Sequence, residues 1–212
     1  MIALANIPTS IYKALLILAT IIWGFSFVVM KNVVDIVPPA LLLGVRFTLA
    51  GLLLLVILHK RVRRNFSWRM VGYGAILALF DFSAFLTQTI GLQYTTPGIN
   101  AFLTATYCVI VPFAWWVVAR KRPSFCNVGA AVIAVVGIWL VAVSTSGETL
   151  TLGLGEGLTQ ICALLFAIHI VLVSRFSKQR DVLTLTVFQF IFEGLFGLCV
   201  GGLFAINCCG LL

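Results

Sequence analysis

Only 9% of the 212 residues are charged and 62% are hydrophobic, whereas a soluble domain carries about 25% charged residues. So few charges cannot clothe a water-soluble surface, so lipid must cover most of the outside. A net charge of +8 would suggest nucleic acid as the partner of a soluble protein, but the placement of the bases gives it a topological meaning instead.

In chain order, apolar stretches run at roughly 11–34, 38–58, 70–92, 97–119, 126–143, 156–174 and 184–206. Each has the ~20 residues that a bilayer-crossing helix needs. Barrel strands would alternate in hydrophobicity within segments of about 10 residues. The expected fold is therefore an all-α integral membrane protein, a polytopic bundle of seven transmembrane helices. Residues 14–30 could pass for a signal-peptide core. No clear small-residue cleavage site follows them, and Lys31 and Asp35 come next, so they read as the first helix.

The bases fall in alternate gaps. Lys13 precedes span one; Lys60, Arg61, Arg63, Arg64 and Arg69 follow span two. Arg120, Lys121 and Arg122 follow span four, and Arg175, Lys178 and Arg180 follow span six. These are twelve of the fourteen basic residues. By the positive-inside rule that side is cytoplasmic, which places the N-terminus inside and the C-terminus outside a plasma or inner membrane. The run Lys60–Arg64 also suits anionic lipid, though topology accounts for it. Asn65-Phe66-Ser67 fits the glycosylation pattern but sits in a basic, inward loop.

The six cysteines show no metal-ligand spacing. Those in or beside spans behave as small hydrophobes, and the adjacent pair Cys208-Cys209 lacks CxxC spacing. No metal or cofactor is expected.

The Ser-, Thr- and Gly-rich link Ser144–Gly155 divides the chain into 1–147 and 148–212. A shift of 143 residues lays span one over span six and span two over span seven. Trp23 then meets Phe166, Arg46 meets Gln189, Phe47 meets Phe190, and Gly51 meets Gly194. A repeat of five helices is odd, so its second copy enters the membrane from the opposite side, as in many secondary transporters. Only two spans of the second copy are present.

Several features, taken in order, resemble the EamA-type branch of the drug/metabolite transporter superfamily. Trp23-Gly24-Phe25-Ser26-Phe27 lies in span one, with Lys31 after it. Pro39 opens span two, which contains Arg46. The run Gly91-Leu92-Gln93-Tyr94-Thr95-Thr96-Pro97-Gly98 joins spans three and four. Pro112, Gly129, Gly137 and Gly155-Glu156 follow. The resemblance covers nearly the whole chain and rests on order and spacing. It implies ten helices in two repeats, both termini cytoplasmic, and carriage of amino acids, other metabolites or drug-like compounds. The sequence departs from that pattern at Lys121, where many members have an acid, and in its early end, which suggests a fragment or a degenerate copy.

Ionisable groups inside a bilayer are costly and mark functional sites. Arg46, Asp81, Glu193 and His169 are such groups. Arg46 offers a fixed charge to a solute carboxylate or phosphate, Asp81 or Glu193 a site for a coupling proton, and His169 a relay. The bland alternatives are an Arg46–Asp81 neutral pair and a His169 bond between helices. Trp23 either stacks on a solute or packs. Gln88 and Asn100 either line the path or join helices. Lys31 either snorkels towards the headgroups or takes part in gating, Pro112 kinks span four, and Gly197-Leu198-Cys199-Val200-Gly201 forms a close-packing face.

The sequence contains no HExxH, GxSxG or Walker lysine, so an enzyme is not expected. Gly153-Leu154-Gly155-Glu156 resembles an intramembrane aspartyl-protease loop only loosely. The leading reading is a secondary transporter of small organic solutes, with the bilayer and a small-molecule substrate as partners. A homodimer or another transporter chain would complete its cavity. The alternative is a truncated, non-transporting fragment or helper subunit; a seven-helix receptor comes third.

Overall fold

The computed structural model describes residues 9–120, 125–146, 153–178 and 180–209. The variant loop position Lys121 and the link around Glu148 lie outside these, as do the side chains of Cys208 and Cys209. Eight helices account for nearly all of the described residues, and none of these forms a strand. They are α1 (Thr9–Val34), α2 (Pro39–Asn65), α3 (Trp68–Gln93), α4 (Pro97–Thr104), α5 (Tyr107–Ala119), α6 (Phe125–Ser146), α7 (Leu154–Phe176) and α8 (Val182–Cys209). With α4 and α5 counted as one, six spans are long and apolar enough to cross a bilayer. The seventh expected span is helix α6, of 22 residues, whose apolar stretch among the described residues is Val128–Gly137. The molecule is thus a polytopic all-α membrane protein, and large apolar side chains such as Leu16, Phe25, Val56 and Ile133 face outward because lipid is their solvent.

Span four departs from expectation. The sequence places its kink at Pro112, but the helix breaks at Ala105–Thr106. There Thr106 and Cys108 donate to carbonyls only three residues back, at 3.2 and 3.0 Å, a tighter turn than the α-helix. Pro112 lies inside α5.

Helix ends follow local chemistry. Pro39 and Pro97 occupy first turns, where a missing N–H costs nothing. Ser67 and Thr96 accept from the amides of Met70 and Ile99, and Glu156 reaches back to the Gly153 amide, each satisfying an orphan donor.

The core lies among α2, α3, α7 and α8. Antiparallel α2 and α8 meet along a glycine seam. A Cβ on Gly197 would lie 2.4 Å from the Gly44 Cα, and one on Gly201 2.8 Å from that of Leu41. Further down, Cβ atoms on Gly51 and Gly194 would lie 3.1 Å from the Ile191 amide and 2.8 Å from the Thr48 amide. The expected Gly197–Gly201 face therefore packs backbone on backbone, the contact that joins helices where lipid offers no hydrophobic drive.

The seam ends at an ion pair. Arg61 Nε donates to both oxygens of Asp181, at 2.9 and 3.0 Å. From Leu41 to Arg61 is ~30 Å of helix, the thickness of a bilayer core. The Arg61 guanidinium, helped by Thr184, holds the Asp181 carboxyl down at about 2.

Antiparallel α3 and α7 begin and end together as well. Gly91 packs on Gly155 at one end, and Tyr73 stacks on Phe176 at the other. At the Gly91 end Lys31 does not snorkel as expected. Its ammonium donates to the Leu92 and Gln93 carbonyls at 2.7 and 3.1 Å, capping the negative end of α3. Gln93 returns a bond to the Val34 carbonyl of α1, at 3.0 Å.

Candidate functional site

Helices α1, α2, α3, α5, α7 and α8 border an open cavity of about 550 Å³, within the range of small-molecule sites. Six aromatic residues stand in its wall: Trp23, Phe47, Phe85, Tyr107, Phe166 and Phe190. Three ionisable groups interrupt that wall, Arg46 from α2, Asp81 from α3 and His169 from α7.

Arg46 is exposed to this opening. Its guanidinium lies 5.8 Å from the ring centres of both Phe47 and Phe85, a cation–π setting that orients the charge without neutralising it. It forms no salt bridge with Asp81, contrary to the pairing that was one sequence alternative. Gly44, Thr48 and Gly51 put one face of α2 on α8, so Arg46 projects beside the seam, into the cavity.

Asp81 faces two other partners. His169 Nδ1 lies 3.3 Å from its Oδ1, and Gln189 Nε2 donates to its Oδ2 at 2.8 Å. The same Gln189 nitrogen donates to Glu193 Oε1, also at 2.8 Å. Glu193 is fully enclosed and does not line the cavity; it stands behind Asp81, linked through the amide. Glu193 Oε2 and His169 Nε2 are buried with no hydrogen-bond partner.

A second polar cluster lies about two turns further along α3. Gln88 donates to Thr104 at 2.8 Å, and Thr104 to the Asn100 carbonyl at 2.8 Å. Asn100 donates to Thr159 at 2.9 Å and to the Gln88 carbonyl at 3.1 Å. Asn100 is fully enclosed and ties α4 to α3 and α7. Gln88 also borders a small void of about 20 Å³, shared with Trp23 and Arg46, room for roughly one water.

Trp23, Arg46, Asp81 and His169 thus converge on one cavity; Glu193 supports it, Gln88 borders only the small void nearby, and Asn100 is set apart. Gln189 was missed as a site residue. Its signal was available, since it is a polar residue within a span and falls over Arg46 when the chain is shifted.

Residues 11–143 match the EamA-like transporter family. An uncharacterized transporter of Archaeoglobus fulgidus is 30% identical over 196 residues, covering 91% of this chain and 59% of that protein. The uncharacterized transporter YvbV of Bacillus subtilis is 22% identical over 199 residues, covering 92% of this chain and 64% of that one. The chain therefore spans about three fifths of the length of these curated relatives. No solved structure matches it. With five consecutive spans inside the matched region and a 30%-identical relative aligned over 91% of its length, the chain belongs to the EamA-like transporter family.

Proposed function

We propose that the protein is a secondary transporter of small organic solutes, among them amino acids, other metabolites or drug-like compounds, and not an enzyme. The observation that carries this reading is the aromatic cavity with an uncompensated guanidinium in its wall. Aromatic faces take up the apolar body of a solute, while Arg46 takes a carboxylate or phosphate through its planar fork. The solute crosses the membrane as the cavity opens to each side in turn.

Two features support the inverted repeat of 1–147 and 148–212 on which such alternation depends. The family match at 11–143 nearly coincides with the first unit. The contacts of Gly51 with Ile191 and of Gly194 with Thr48 exchange places under the 143-residue shift, and the Phe47–Phe190 ring pair, 5.5 Å apart, maps onto itself. Arg61, Arg69 and Arg180 gather at one end of the bundle, where α2 hands over to α3 and α7 to α8. This supports a cytoplasmic N-terminus in a plasma or inner membrane.

The test is flux into proteoliposomes with a panel of amino acids, organic cations and organic anions. Arg46→Ala should abolish flux of the accepted anionic or zwitterionic solute and leave membrane insertion intact. Unchanged flux in that variant rejects the role of Arg46. The greater length of the relatives supports a second reading, in which further helices or another chain close the cavity. Flux by this chain reconstituted alone decides against it.

A further inference from the structure

We propose that Asp81 and Glu193 share a single proton, with Gln189 as the positioning residue between them, and that His169 connects this pair to the cavity as the proton-binding site of transport. The proposal rests on the transporter reading above.

The geometry leaves few alternatives for the charges. The Gln189 amide has two hydrogens and gives one to each carboxyl, both at 2.8 Å. Among the described residues no lysine or arginine forms an ion pair with either. Two anions around one neutral amide, one fully enclosed and the other nearly so, repel each other and lose most of their hydration. One proton removes one of those charges and supplies a donor, so the pair binds it as a unit.

The surrounding groups set where that proton goes. From α7, His169 meets Asp81, and Cys162 lies on the same helix two turns earlier, bearing no charge as a thiol. From α5, Tyr107 lines the cavity. From α2, Arg46 acts on Glu193 through its field alone; α1 adds Trp23 and Ser26, which do not titrate. His169 is therefore the titratable group that both touches the pair and faces the cavity. Two of the three buried atoms without partners, Glu193 Oε2 at the enclosed end and His169 Nε2 at the other, are the free ends of the chain Glu193–Gln189–Asp81–His169; the third, Asn100 Oδ1, belongs to the other cluster. An anionic solute arriving at Arg46 cancels the positive field on Glu193. Proton and anion then favour one another's binding, and the coupling is reciprocal.

Infrared difference spectra of the whole chain in liposomes, titrated with acid in H₂O and D₂O, test this without any solute. A protonated-carboxyl band should be present at neutral pH. Glu193→Gln and Asp81→Asn should each abolish it, because either removes the second negative charge. Gln189→Leu should shift its pH midpoint, which a residue that only packs would not do. Absence of the band from the unaltered chain, or its survival in either carboxyl variant, overturns the proposal. Circular dichroism identifies a variant that fails to fold, and the other carboxyl variant then decides. Solute flux from a protein without the band rejects the proton site alone, whereas a band without flux rejects the transporter reading alone.

Discussion

Two buried polar clusters sit on one face of α3, and they differ in kind. Around Gln88, hydroxyls and amides of α3, α4 and α7 bond one another in a closed ring. Around Asp81, carboxyls of α3 and α8 bond an amide of α8 and an imidazole of α7, leaving two atoms without partners. The neutral ring also leaves one buried atom without a partner, Asn100 Oδ1, and it holds helices together, while the acidic cluster brings ionisable groups to the wall of a cavity. Burial alone therefore does not mark a functional polar group. Charge and contact with a space a ligand can enter do so together.

This contrast can be broken first at the glycine seam, since only the acidic cluster draws on α8. Gly197→Val drives its side chain into the Gly44 backbone, and most of the monodisperse protein should be lost on size-exclusion chromatography. Accessibility labelling of any protein that remains should find Gln189 and Glu193 exposed before Asn100. Next comes Arg46→Ala, with flux lost and insertion retained, measured by proteoliposome uptake and membrane fractionation. Asn100→Leu should sharpen the contrast from the other side. It removes membrane hydrogen bonds worth about 0.6–1.7 kcal/mol, lowers the melting temperature accordingly, and leaves the carboxyl band unchanged.

The smallest effect is expected outside the bilayer. With the Asp181 carboxyl held at about 2 against an ordinary 3.8, its contribution to stability is complete above 3.8 and fades as pH falls towards about 2. Asp181→Asn should lower the melting temperature slightly at pH 7, as is usual for a surface pair. The difference from the unaltered chain should close below pH 4.

Much of the fold was legible because hydrocarbon is a demanding solvent. Apolar length alone marked the spans, since every backbone group must be satisfied within its own helix. The Gly197–Gly201 face could be read for the same reason, as small residues at that spacing permit close approach. The break at Ala105–Thr106 could not, because Pro112 pointed to a neighbouring turn. Lys31 was misplaced because sequence shows its distance from the membrane edge but not the carbonyls of a helix 61 residues away.

For the site, cost in the membrane was enough to single out Arg46, Asp81, His169 and Glu193. It did not say which of them would meet. By itself the sequence determined that this chain lives in lipid, roughly where its spans lie, and which family it resembles, all consequences of local composition and spacing. Only the tertiary structure decided that Arg46 stands unpaired in an aromatic cavity while Asp81 and Glu193 share Gln189. Partnership among buried charges depends on helix rotation and register, which are set by the glycine contacts of helices distant in sequence.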